Sequence, residues 1–165
     1  MGQQESGQQL LQRYFQLITG QNVPVVTASQ MTTQQELDQY QTRIWIGQQS
    51  VVNAALGSDL TNLGTDGFIS RSNVNSDGSA DVYLTGQNWW GTTWAAYELL
   101  ERYAGCGFYG PVVEGTNDGP DGLLNVIPQL SSISMPDGTN IVEDPIYKSR
   151  YLQSLPWSFP LIQQD

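Results

Sequence analysis

The stretch Gly86 to Pro111, GQNWWGTTWAAYELLERYAGCGFYGP, constrains the fold more than any other part of this chain. It reads as a strand end, a loop, a helix, a helix stop and a second strand in one run. Gly91, Thr92 and Thr93 are small and open a helix. The apolar Trp94, Tyr97, Leu100 and Ala104 then recur at the spacing of one buried helical face. Gly105, just past them, is placed to take the left-handed conformation that stops a helix. Phe108 and Tyr109, between Gly107 and Gly110, predict a short strand, and Asp81 to Thr85 predicts the strand before the helix.

The rest of the chain supplies the remaining elements. Glu5 to Thr19 predicts a helix with Leu10, Leu11, Tyr14, Phe15 and Ile18 on one side and Gln on the other, capped by Gly20. Val23 to Thr27 predicts a short strand, and Pro24 suits an edge or a first strand residue. Within the polar Ser29 to Gln41, Thr33 and Glu36 have capping-box spacing, so a short helical turn is expected there. Arg43 to Ile46 predicts an inner strand, with Ile44 and Ile46, or else Trp45, against a helix. A short helix over Ser50 to Leu56 should end at Gly57. Gly67 to Ser72 and Ala80 to Thr85 predict a hairpin turning at Asp77-Gly78. Glu114 to Gly122 reads as a loop, Leu124 to Ile127 as a last short strand, Pro128 to Asp144 as irregular, and Ile146 to Leu152 as a departing strand. The expected fold is α+β: a two-layer sandwich with a mainly antiparallel sheet of four or five short strands and helices packed on one face.

With 165 residues the chain has room for about one domain and is too short for a TIM barrel, which takes about 250 residues. A net charge of −10 with six Lys plus Arg leaves no basic patch for phosphates, so nucleic acid is not an expected partner. The single cysteine, Cys106, cannot close an intramolecular disulfide, and its apolar neighbours predict burial. With no histidine in the chain there is neither a base to hold that thiol as thiolate nor a set of zinc or copper ligands. Asn73 to Asp77 and Asn117 to Asp121 lack the spacing of an EF-hand and read as turns, so no metal or cofactor is expected. Glu98 and Glu101 share a helix face, as an acid and base pair would, but helices carry such charges for solubility and Arg102 can pair Glu98. No apolar run reaches the roughly 18 residues of a membrane span, and MGQQESGQQ lacks the regions of a signal peptide.

The words GTTWAAYELLE and GCGFYGP resemble the amino-terminal α/β domain that precedes the catalytic barrel in α-glucuronidases and related glycoside hydrolases, a fold that recurs as the second domain of β-hexosaminidases. LLQRYFQLITGQNVPVV is similar to that family's first helix and its ending. TRIWIG and DGFISRS are similar to two of its strands, and EDPIYKSRY is similar to the segment that leads into the barrel. The resemblance covers nearly the whole chain. It implies that residues 1–128 form this domain and that residues 129–165 form an irregular linker and the start of a following barrel domain. It also implies a chain without catalytic machinery of its own, because the family's acid and base carboxylates belong to the barrel. A barrel in the same polypeptide is then the expected partner, and an extracellular or periplasmic location the expected one. Two departures stand out. Only MGQQE precedes the first helix, where family members have an extended strand. Trp90 and Gly107-Phe108 stand where the family often carries arginines.

Trp89, Trp90 and Trp94 invite a sharper reading, since indole faces stack on sugar rings and Asn88 and Gln87 have amides suited to hydroxyls. The plainer reading puts Trp94 in the core and packs Trp89 and Trp90, with Trp157 near the end, against another domain. The candidate residues are therefore Asn88, Trp89, Trp90 and Trp157, for carbohydrate or for a domain interface. Two functions follow: a non-catalytic accessory domain of a polysaccharide-degrading glycoside hydrolase that supports its barrel, or a stand-alone carbohydrate-binding or surface-assembly module.

Overall fold

The computed structural model describes residues 6–31, 33–108 and 126–145. Helix α1, Gly7–Thr19, starts at a capping box in which the Gln9 N–H donates to Ser6 Oγ while Gln9 Oε1 accepts from the Ser6 N–H, and it ends at Gly20 with φ 72°. A 3-10 turn, Ala28–Gln30, and the short helix α2, Gln34–Leu37, follow, α2 being opened by the expected box between Thr33 and Glu36. Strand β1, Thr42–Ile46, leads to α3, Ser50–Leu56, and then to α4, Ser58–Thr61. The hairpin is β2, Phe68–Val74, and β3, Ala80–Gly86, with Gly78 at φ 85° in its turn. Helix α5, Trp89–Ala104, stops at Gly105 with φ 72°, and β4, Asn140–Glu143, completes the set.

The four strands form one sheet in the order β1-β3-β2-β4, in which β1 runs parallel to β3 and the other two pairs are antiparallel. The α+β class and the mainly antiparallel four-strand sheet agree with the sequence reading. The two long helices, α1 and α5, lie together on one face. Leu10, Leu11, Tyr14 and Ile18 of α1 meet Ala95, Ala96, Leu99 and Leu100 of α5 over Val82 and Leu84 of β3. Side chains alternate along a strand, so Tyr83 and Ile69 point the other way, and there Val52, Leu56, Leu60 and Leu63 cover them. The reverse face thus carries a smaller helical layer that adds to the expected one-face packing.

Several expectations are corrected. Among the described residues β1 is an edge strand rather than an inner one, because it has a ladder partner, β3, on one side only. Val23 to Thr27 is not a strand. Pro24 has no N–H to donate, and Val25 and Val26 lie exposed without a ladder partner. Residues 129–143, expected to be irregular linker, add β4 to the edge of β2 and pack Leu130, Ile133 and Met135 on the main core. Where strands are expected at Phe108 and Tyr109 and at Leu124 to Ile127, the described residues carry one antiparallel bridge, Gly107 to Val126. Cys106 is buried as expected. Tyr109, the loop Glu114 to Gly122, Leu124 and the segment Ile146 to Leu152 lie outside the described residues.

Trp94, expected in the core, is 43% exposed. Leu100 and Ala104 are buried as expected, and Thr92, Ala95, Ala96 and Leu99 complete the buried stripe of α5. Small residues win that position because α1 comes close: a Cβ on Gly7 would stand 3.2 Å from the Thr92 carbonyl oxygen and 3.6 Å from the Ala96 side chain. An indole has no space between backbones held that near.

Candidate functional site

The corner where β3 turns into α5 is built from backbone held at close range. Three glycines, Gly67, Gly86 and Gly91, meet there, and a Cβ on Gly91 would lie 2.4 Å from the Gly67 carbonyl oxygen. Asn88 is the helix N-cap. Its Oδ1 accepts from the Gly91 N–H at 2.9 Å, and its Nδ2 donates to the Thr65 carbonyl at 2.8 Å. The Gln87 amide donates to the Leu60 carbonyl, and Gln48 Nε2 reaches across to the Gly86 and Gln87 carbonyls at 3.0 and 3.1 Å. Thr92 Oγ1 accepts from the Gly86 N–H and donates to the Asn88 carbonyl, both at 3.2 Å. These amides and hydroxyls therefore serve the fold. Asn88→Ala is expected to lower the free energy of unfolding by about 1–2 kcal/mol, through loss of the cap and of the tie to Thr65. Urea denaturation followed by circular dichroism reads this out.

On that braced corner the helix starts with Trp89 and Trp90, one residue past its cap. Their rings stack on each other with centroids 3.9 Å apart at 27°, and the residues are 48% and 40% exposed. Trp94 lies one turn further along, with its centroid 6.0 Å from that of Tyr97. Tyr97 in turn meets Phe108 edge-on at 4.6 Å, and Phe108 meets the buried Tyr14 at 5.2 Å. An aromatic series thus runs from the exposed Trp94, in the second turn of α5, into the core. Of the candidate residues, the structure brings together Asn88, Trp89 and Trp90 and adds Trp94. Trp157 lies outside the described residues. The spacing of Trp90 and Trp94, four apart, was the signal for a shared exposed face.

The carboxylates are distributed differently. Glu98 pairs with Arg102, as its i,i+4 spacing predicts. Asp144 Oδ1 accepts from the Gly64 N–H at 3.1 Å. Asp81 of β3, whose side chain is only 10% exposed, accepts from Arg43 Nε at 2.7 Å, Arg43 Nη2 at 2.9 Å, Trp45 Nε1 at 2.7 Å and Asn75 Nδ2 at 2.7 Å. Burial alone would raise its pKa, but the Arg43, Asn75 and Trp45 bonds outweigh that and hold the carboxyl below the usual aspartate range. Tyr83 beside it is pushed up by burial and by the Asp81 charge. With its oxygens committed to strand β1 and to the hairpin turn, Asp81 joins elements together.

A concavity lies at the open edge of β1. It is a cleft of about 340 Å³ between α1, the Val23 to Val26 segment, α2 and the strand, with Leu11, Phe15, Val26, Leu37, Tyr40 and Ile44 among its walls. Sequence reasoning missed it, because the cleft exists only where β1 has no outer neighbour among the described residues. Among the described residues no helix is long and apolar enough to cross a membrane. A scan against protein-family models, a search of curated proteins and a search of solved structures each return no match for this chain.

Proposed function

We propose that this chain is a non-catalytic accessory domain of an exported, polysaccharide-degrading glycoside hydrolase, supporting a catalytic barrel in the same polypeptide. The observation that carries the reading is the exposed tryptophan cluster at the head of α5, mounted on a rigid strand-to-helix corner. Exposed contiguous apolar surface on a soluble domain marks a place where something else packs. A sugar site would join such rings to free hydrogen-bonding side chains. Here the Asn88 and Gln87 amides are spent on the Gly91, Thr65 and Leu60 backbone, which favours a protein neighbour over a sugar.

The exposed faces of Trp89 and Trp90 support the second reading, a carbohydrate-binding module. One experiment separates the two. Acrylamide quenching of tryptophan is measured in this chain and in the parent polypeptide with its barrel, alongside retention of each on polysaccharide affinity gels. The accessory reading expects quenching at Trp89 and Trp90 to fall when the barrel is present, and Trp89→Ala with Trp90→Ala to lower the melting temperature of the two-domain protein by several degrees. Unchanged quenching, with gel retention by the folded wild type that the double variant loses, would overturn it in favour of glycan binding.

A further inference from the structure

The cleft beside β1 differs from an ordinary apolar groove because one of the elements lining it, β1, is a strand with an open edge. The Gly47 N–H donates to the Leu84 carbonyl at 2.9 Å and the Ala80 N–H donates to the Gln41 carbonyl at 2.8 Å. The odd-numbered residues of this segment therefore address β3, and Thr42, Ile44 and Ile46 turn their N–H and C=O groups outward. The Ile46 carbonyl accepts from Gln49 Nε2 at 2.9 Å. Both outward groups of Ile44 are without a partner among the described residues.

Around this edge the walls are apolar, with Leu11 and Phe15 from α1 and Leu37 and Tyr40 from α2 and the turn after it. A compact apolar ligand would match the walls and strand the amides, whereas an extended backbone satisfies both. Charge narrows the choice. Glu36 and Asp38 stand on either side of Leu37 along the chain, and the whole chain carries −10. We propose that the open edge of β1 is a docking site for an extended strand of another polypeptide, apolar at alternate positions and basic at its ends, which adds to the sheet as a fifth strand.

The test uses the full chain and a fluorescein-labelled peptide, KVTVTVK, followed by fluorescence anisotropy. Two further peptides carry N-methyl groups on the valine amides or on the threonine amides. Saturable binding is expected, with a loss of about tenfold or more on N-methylation of one alternate set and little change with the other. Leu37→Asp, at a position outside both cores, is expected to weaken binding by a similar factor while circular dichroism stays unchanged. The amide of Ile44 should also gain protection from hydrogen exchange when peptide is bound. The absence of saturable binding, equal affinity for all three peptides, or equal affinity for a peptide with glutamates in place of its lysines would each overturn the proposal. So would sedimentation showing that two copies of the chain pair through this edge.

Discussion

Replacing Gly91 by alanine should destabilise this domain by about 3 kcal/mol or more, although the same change inside an ordinary helix stabilises by about 1 kcal/mol. Gly91 sits in the first turn of α5, where its φ is helical and alanine would be the better helix former. The new Cβ, however, would stand 2.4 Å from the Gly67 carbonyl oxygen and 3.0 Å from the Gly86 Cα. Both are backbone atoms, so no side chain can rotate away, and relief requires α5 to lift off the end of the hairpin. Gly86→Ala meets the same obstacle from the other side, with Gly91 Cα at 2.5 Å and Gly67 O at 2.7 Å. A domain of this size has roughly 5–15 kcal/mol in total, so either variant removes a large share. Urea midpoints from far-ultraviolet circular dichroism read the effect. A midpoint equal to or above wild type in Gly91→Ala would show that the strand-to-helix corner is not packed this closely.

The second large effect belongs to Asp81. Asp81→Ala removes the acceptor for Arg43, Trp45 and Asn75 together and leaves a guanidinium, whose side chain is 11% exposed, with no counter-charge there. Loss of one partner of so enclosed a pair is expected to cost about 3–5 kcal/mol. The pH dependence has a definite sign. The folded carboxyl titrates below its ordinary value, so the unfolded chain takes up the proton first as pH falls. The stability this gives is fully present well above the unfolded value of about 3.9, and it is lost as pH drops below about 4 toward the folded pKa. Asp81→Asn keeps the shape and removes the charge, so its stability should fall less steeply than wild type across that acid range. Parallel acid slopes for the two proteins would mean that Asp81 is not held by this network.

Local physics explains what could be read directly from the chain. The Thr33-Glu36 capping box, the left-handed stops at Gly20 and Gly105, the α3 end at Gly57 and the Asp77-Gly78 hairpin turn depend on residues within a few positions of each other, and all are where the spacing puts them. The hydrophobic face of α1 was equally legible, because Leu and Ile at helical period against Gln leave one solution. The tryptophan corner was legible as a place, through Asn88, Trp89 and Trp90, but its polar arms were not. That the Asn88 and Gln87 amides are used by Thr65 and Leu60 depends on α4 and the turn after it, more than twenty residues upstream.

Residues by themselves determined the α+β class, the left-handed helix stops, the hairpin and the strongly acidic charge balance. Only the tertiary structure decided that Trp94 faces out, that β1 stands at the sheet's edge beside an open cleft, and that β4 comes from residues expected to be linker. The division has one physical cause. Caps and turns are settled by neighbours along the chain, whereas burial and strand order are settled by which surfaces come close in space. The expected stripe of α5 is Trp94, Tyr97, Leu100 and Ala104; Leu100 and Ala104 are buried, and Thr92, Ala95, Ala96 and Leu99 complete the buried face in place of the two aromatic rings. The close approach of α1 at Gly7 and of the hairpin at Gly67 and Gly86 leaves space there only for the smaller side chains.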